Sequence, residues 1–175
     1  MRLFTINNTS LFMTALLSDR ETVFDQFLLG DAVIMTGTTF TIDGHINKSF
    51  YTDEELEELR RAASENGRIY SEDLIRWEAV KEHCFNCIKG KKTPLSLRIN
   101  FCLAPENVIR FLKTAETGLN AGDVRSLNVN IKYDGSTLTC TTAVSLSIFT
   151  MDKTLENAWD DMFARFLSKH GFDHD

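Results

Sequence analysis

Three constellations in the sequence carry residue types able to do chemistry. The first is Cys84-Phe85-Asn86-Cys87, preceded by His83. Two thiolates two residues apart could ligate zinc or cycle through a disulfide. A zinc ribbon needs a second such pair, and Cys102 and Cys140 sit singly in strand-like segments. A redox pair needs its first Cys at a helix N-terminus, where the dipole lowers the thiol pKa. Here both fall in the last turns of an apparent helix, on one stripe with Trp77 and Val80. They read as inert packing thiols, and no metal site is assigned.

The second constellation is Asp43, His45 and Asn47, which alternate with Ile42 and Ile46 and so share one face of an extended segment. An Asp beside a His can orient an imidazole for proton transfer. No Ser or Cys nucleophile is tied to them by a recognisable spacing, so they form an alternative polar site rather than an assigned catalytic set. The third is Lys89-Gly90-Lys91-Lys92, followed by Arg98. A phosphate-cradling loop wants glycine-rich backbone entering a helix, whereas this loop leaves one. Lysines after a helix C-terminus favour the dipole and stay solvated. As a candidate binding set, Lys89, Lys91, Lys92 and Arg98 suit an anionic partner. The tail His170-Gly171-Phe172-Asp173-His174 offers two imidazoles but reads as a mobile chain end.

Charge distribution adds weight to the lysine cluster. The net charge of −6 argues against bulk affinity for nucleic acid or an anionic membrane. Residues 1–67 hold 5 basic and 11 acidic side chains, residues 68–113 hold 9 and 5, and residues 114–175 hold 5 and 9. A basic centre therefore lies between acidic flanks. The four cysteines, none in a disulfide-like framework, and the polar residues that soon interrupt the apolar ones after Met1-Arg2 suggest a reduced, cytoplasmic setting. No apolar run nears bilayer length, so no membrane partner is expected.

The elements that must position these residues follow from periodicity. Leu127–Tyr133 and Leu138–Ile148 alternate strictly around Asp134-Gly135, the mark of a hairpin with one buried face. Closing the turn on those two residues pairs Tyr133 with Ser136, Ile131 with Leu138 and Val129 with Cys140. A second hairpin, 27–35 with 39–46 around Gly37-Thr38, pairs Met35 with Phe40, Val33 with Ile42 and Leu29 with Ile46. Met1–Ile6 and Pro94–Leu103 add strands. Helices are expected after Asn8 or Thr9, after the capping box Thr52–Glu55, over 72–89 behind Ser71, from Pro105, and over Leu155–Leu167. The last has one stripe of Leu155, Ala158, Trp159, Met162, Phe163, Phe166 and Leu167. The fold class is α+β: a largely antiparallel sheet with helices on one side. At 175 residues the chain is expected to form a single domain. Its halves, 1–67 and 94–175, share the order β-α-β-β-α across the helix at 72–89, which suggests a pseudo-duplication.

Two resemblances add to this reading. TFTIDGHINKSF, IKGKKTPL, LAPENV, LTCTT and IFTMDKTLENAWDDM resemble a family of uncharacterised proteins from anaerobic Firmicutes, which implies no assigned activity. LNVNIKYDGSTLTCTTAVSLSI is similar to the hairpin region of bacterial sliding DNA clamps. That resemblance implies a clamp-like, non-enzymatic role beside DNA. Clamps face DNA with basic helices, whereas 9–17 carries no Lys or Arg and 106–116 carries only Arg110 and Lys113. The expectation is a binding or interaction module, without cofactor, whose partner is a protein, a second copy or a nucleic acid. The alternative is a small enzyme or ligand binder centred on Asp43 and His45.

Overall fold

The computed structural model describes all 175 residues. Six strands form one antiparallel sheet: β1 (Leu3–Ile6), β2 (Phe27–Met35), β3 (Thr39–Asp43), β4 (Ser96–Leu103), β5 (Val124–Tyr133) and β6 (Leu138–Leu146), in the spatial order β1-β6-β5-β4-β2-β3. Five helices accompany it: α1 (Thr9–Leu17), α2 (Asp53–Glu65), α3 (Lys81–Ile88), α4 (Pro105–Ala115) and α5 (Thr154–Lys169). The α+β class read from the sequence is the class observed.

Period two sorts the strands into a dry and a wet face. Leu97, Ile99 and Phe101 of β4 and Leu127, Val129 and Ile131 of β5 are each at most 1% exposed, while Arg98 and Lys132 between them stand in water. Against the dry face α5 sets Leu155, Trp159, Phe163, Phe166 and Leu167, all buried. The Trp159 indole N–H donates to the Asn128 carbonyl at 3.0 Å, so the ring is both packed and hydrogen-bonded. Phe12 and Leu16 of α1, Cys84 of α3 and Phe111 of α4 complete a single cluster of 31 buried residues. Phenylalanines dominate its centre: Phe24 lies within 6.3 Å of the rings of Phe12, Phe27, Phe101, Phe166 and Phe172. The acidic α2 stands outside the cluster, burying only Leu56 behind the expected Thr52–Glu55 capping box.

Several expectations change. The β5–β6 hairpin pairs Tyr133 with Leu138, Ile131 with Cys140 and Val129 with Thr142, two residues from the expected register. Asp134 explains the longer turn: its carboxylate accepts the N–H groups of Ser136 and Thr137 at 3.0 and 2.8 Å, holding a four-residue loop closed. In the second hairpin Ile34 faces Phe40 and Ala32 faces Ile42, a slip of one residue. The loop between the paired residues holds Thr36, Gly37 and Thr38 rather than two residues, with the Thr36 N–H donating to Thr38 O at 2.8 Å. Separately, a bulge between Leu29 and Asp31, at Gly30, reverses the side-chain parity of β2 against β4. Leu29, Ala32 and Ile34 are therefore buried, and Val33 and Met35 turn outward.

The helix expected over 72–89 is confined to Lys81–Ile88, after a 3-10 turn at Trp77–Ala79. Residues 73–76 instead run extended between β2 and the end of β3. Leu29 N–H donates to Ile75 O, Ile75 N–H to Gly44 O and Ile46 N–H to Asp73 O, all at 2.8–2.9 Å. Three ladder bonds outweigh the helical propensity of this stretch. The chain end is docked rather than mobile: Phe172 is 2% exposed, and Thr5 and Asp175 exchange two backbone hydrogen bonds. Nor do the two halves pair alike. β4 is bonded to β5, whereas β1 is bonded to β6 at the opposite end of the sheet from β2.

Candidate functional site

An open groove lies between α1 and α3. Asn8 starts α1 by accepting the Leu11 N–H at 3.0 Å. The helix that follows is apolar on two sides. Phe12, Ala15, Leu16 and Leu17 enter the core, while Met13 and the outer edge of Leu17 line the groove. α3 supplies the opposite wall: Cys84 turns inward, and Phe85 and Ile88 face the groove. Trp77 sits beside this pair of helices, its indole N–H donating to Leu16 O at 2.9 Å. The open groove has a volume of about 810 Å³.

Its rim is polar. Ser10, Thr14 and Ser18 contribute hydroxyls, and Asp19, Arg20 and Lys89 contribute charge. The loop after α1 is held down by Lys81, whose ammonium donates to Glu21 O at 2.7 Å and to the Asp25 carboxylate at 3.1 Å. That lysine is 6% exposed. Only a paired, hydrogen-bonded ammonium tolerates such burial. Lys89 ends α3, donating its N–H to Phe85 O at 2.8 Å, and Gly90 then turns the chain away toward exposed Lys91 and Lys92.

The four candidate cations thus divide. Lys89 lies on the groove rim and Lys91 and Lys92 follow it, but Arg98 projects from the wet face of β4, ion-paired with Asp31 at 3.2 Å. Met13, Leu17, Phe85 and Arg20 were not singled out as site residues in the sequence. The available signal was the second apolar face of 9–17, where Met13 and Leu17 lie four residues apart.

Asp43 and His45 do meet. The Asp43 carboxylate accepts the His45 backbone N–H at 3.0 Å and lies 2.6 Å from the ring Nδ1. Those two hydrogen bonds, the backbone one first, hold the Asp43 carboxyl below its ordinary range. The geometry depends on Gly44, because a Cβ there would stand 1.9 Å from Leu29 O. β3 ends at Asp43, so the shared strand face expected for the three residues is a turn instead. Asp43, His45 and Asn47 line a shallow hollow of about 250 Å³ with Phe50 and Tyr51. The Asp43 and His45 side chains are 72% and 70% exposed.

The cysteines are all free thiols. Burial pushes Cys84 up to about 12 and Cys102 up to about 11, and raises Cys140 as well. Thiolates are needed for both metal ligation and exchange chemistry, and burial disfavours them here. Three or more His, Cys, Asp or Glu side chains nowhere gather as they would around a metal ion. No helix is long and apolar enough to cross a membrane.

Fold and groove together define an α+β protein with a one-sided helical layer and a cationic-rimmed apolar groove within it. The chain belongs to a family of unknown function, DUF5721, which it matches over residues 16–175. No curated protein and no solved structure matches it.

Proposed function

We propose that the protein is a non-enzymatic binding module, acting as a single cytoplasmic domain, whose α1–α3 groove receives an acidic amphipathic peptide helix. One observation carries this reading: an apolar floor of Met13, Leu17, Phe85 and Ile88 with Arg20 and Lys89 at its edge. The volume, about 810 Å³, is within the range of pockets that enclose ligands. A groove between helices suits a third helix laid into it by its apolar side. Arg20 and Lys89, with Lys91 and Lys92 beyond, outnumber the single rim acid Asp19 and favour a negatively charged partner.

Fluorescence anisotropy with a labelled Glu- and Leu-rich amphipathic peptide tests it. Binding should saturate, weaken with added salt, and drop at least tenfold in Arg20→Glu/Lys89→Glu and in Phe85→Ala. Affinity indifferent to all three substitutions overturns the reading. A DNA duplex run in parallel examines the clamp-like alternative, which draws support from Lys91 and Lys92. Duplex binding that is stronger than peptide binding and abolished by Lys91→Glu/Lys92→Glu would favour it. The 2.6 Å Asp43–His45 contact supports a second reading, a small-ligand site, which requires a compound whose binding is lost in His45→Ala.

A further inference from the structure

β6 outruns its outer neighbour. β1 pairs with Leu138–Thr141 only, and the last link between them is at Thr142, whose N–H donates to Arg2 O at 3.0 Å. Alternation along the strand aims the N–H and C=O groups of Val144 and Leu146 to the same side, past the point where β1 begins. The chain does not return to cover them: the Met1 amino nitrogen lies 3.2 Å from Asp160 and 3.7 Å from Glu156, both on α5.

Sheet edges are ordinarily blunted by Lys, Pro, a bulge or an inward charge. None of these lies here. From Gly135 to Met151 no side chain is charged and no proline occurs. The nearby register shift is in β5, between Val124 and Ser126, and leaves β6 regular. Just beyond the edge, Phe149 is 94% and Met151 87% exposed, and Leu3 of β1 is 59% exposed. Bare aromatic and thioether groups beside an unpaired strand are what an interface leaves when its partner is removed.

We propose that this edge pairs antiparallel with the same edge of a second copy, centred on Ser145 so that Val144 of each copy faces Leu146 of the other, joining two six-stranded sheets into one. The occupant follows from charge. Antiparallel self-pairing sets a strand opposite itself, so any charged residue would approach its own copy. This segment carries no charge and meets no such penalty. Beyond the paired residues, Phe149 and Met151 of each copy run toward the start of the other's β1, where Leu3 is exposed. Their contribution is required, since a four-residue edge falls far short of the roughly 600 Å² per partner of a specific interface, whereas one phenylalanine adds about 150 Å² or more.

Sedimentation equilibrium on the full chain reads the mass against concentration. The expected result is twice 19.9 kDa, with at least a tenfold shift toward monomer in Ser145→Lys and in Phe149→Asp, and no shift in Arg20→Glu. Hydrogen exchange on the unmodified chain gives a second measurement, independent of whether those variants fold. The Val144 and Leu146 amides should gain protection as concentration rises. A chain that stays monomeric up to about 1 mM overturns the proposal. So does a dimer in which those two amides exchange as freely as in dilute solution. Neither result bears on the groove, whose peptide binding is measured separately.

Discussion

Replacing Asp25 with Ala removes the carboxylate partner of a buried ammonium. In the native chain Lys81 Nζ has two acceptors, Glu21 O at 2.7 Å and the Asp25 carboxylate at 3.1 Å, and its side chain is 7% exposed. After the substitution one neutral carbonyl remains. Losing one partner of a buried pair costs about 3–5 kcal/mol, because the surviving charge stays desolvated. Asp25 is itself 14% exposed, so water can enter the vacated space, and the lower end, about 3 kcal/mol, is expected here. For a chain of this size that corresponds to roughly 6–12 °C in melting temperature. The double variant Asp25→Asn/Lys81→Met removes the charge together with its partner and should lose only about 1 kcal/mol. Urea unfolding followed by Trp fluorescence measures both through the midpoint, with the slope unchanged. Because Lys81 also pins the loop that carries Arg20, Asp25→Ala should weaken the peptide binding proposed for the groove, at a temperature where the variant is still folded. A double variant as unstable as Asp25→Ala would refute the account. So would a single variant that loses less than about 1 kcal/mol, the scale of a surface pair.

Two further predictions follow from local geometry. Gly44→Ala forces a Cβ to within 1.9 Å of Leu29 O, so the 43–46 turn must move. The variant should unfold at lower urea and its His45 ring resonances should shift as the contact with Asp43 opens, and a native midpoint with unchanged resonances contradicts this. His170 packs against Phe166, and burial first, then Lys169, lowers its pKa below the ordinary 6.5. A depressed imidazole disfavours the protonated form of the native state. His170 therefore costs no stability above pH 6.5, and stability falls as pH drops through 6.5 toward the lower native value. Melting temperatures between pH 7.5 and 5 should fall less steeply in His170→Gln than in the unmodified chain.

How far the fold was legible depends on parity. The β5–β6 turn was misplaced by two residues, an even number, so Val129, Ile131, Leu138 and Cys140 still landed on the dry face. The β2–β3 register was misplaced by one, which exchanged the faces and set Val33 and Met35 inward in place of Ala32 and Ile34. Gly30 within a strand-like run was the local sign of a bulge. Its effect on parity is legible only when β4 supplies the reference register, and β4 lies some seventy residues downstream. The stretch 73–76 failed for the same reason. Its partners, Leu29, Gly44 and Ile46, are distant in sequence, and helical spacing in 72–89 gave no hint of them.

The groove was harder still, and the reason is physical. Periodicity detects the face of a helix that the core demands, which in α1 is the face of Phe12, Ala15 and Leu16. A second apolar face needs a neighbour to give it meaning. Met13 and Leu17 acquire that meaning only because the loop after α1 returns past Lys81 and brings α3 alongside. Lys89 was visible as one of a run of cations, but a run does not tell which member meets an apolar wall. The fold decides this by ending α3 at Ile88, so that Lys89 stays on the rim while Gly90 carries Lys91 and Lys92 away. The same logic separates Arg98 from them, since one residue along β4 exchanges the dry face for the wet one and there Asp31 already holds its charge. A binding surface in this protein is thus a property of how two helices end beside each other, and lengthening α3 by one turn would dismantle it without altering a core residue.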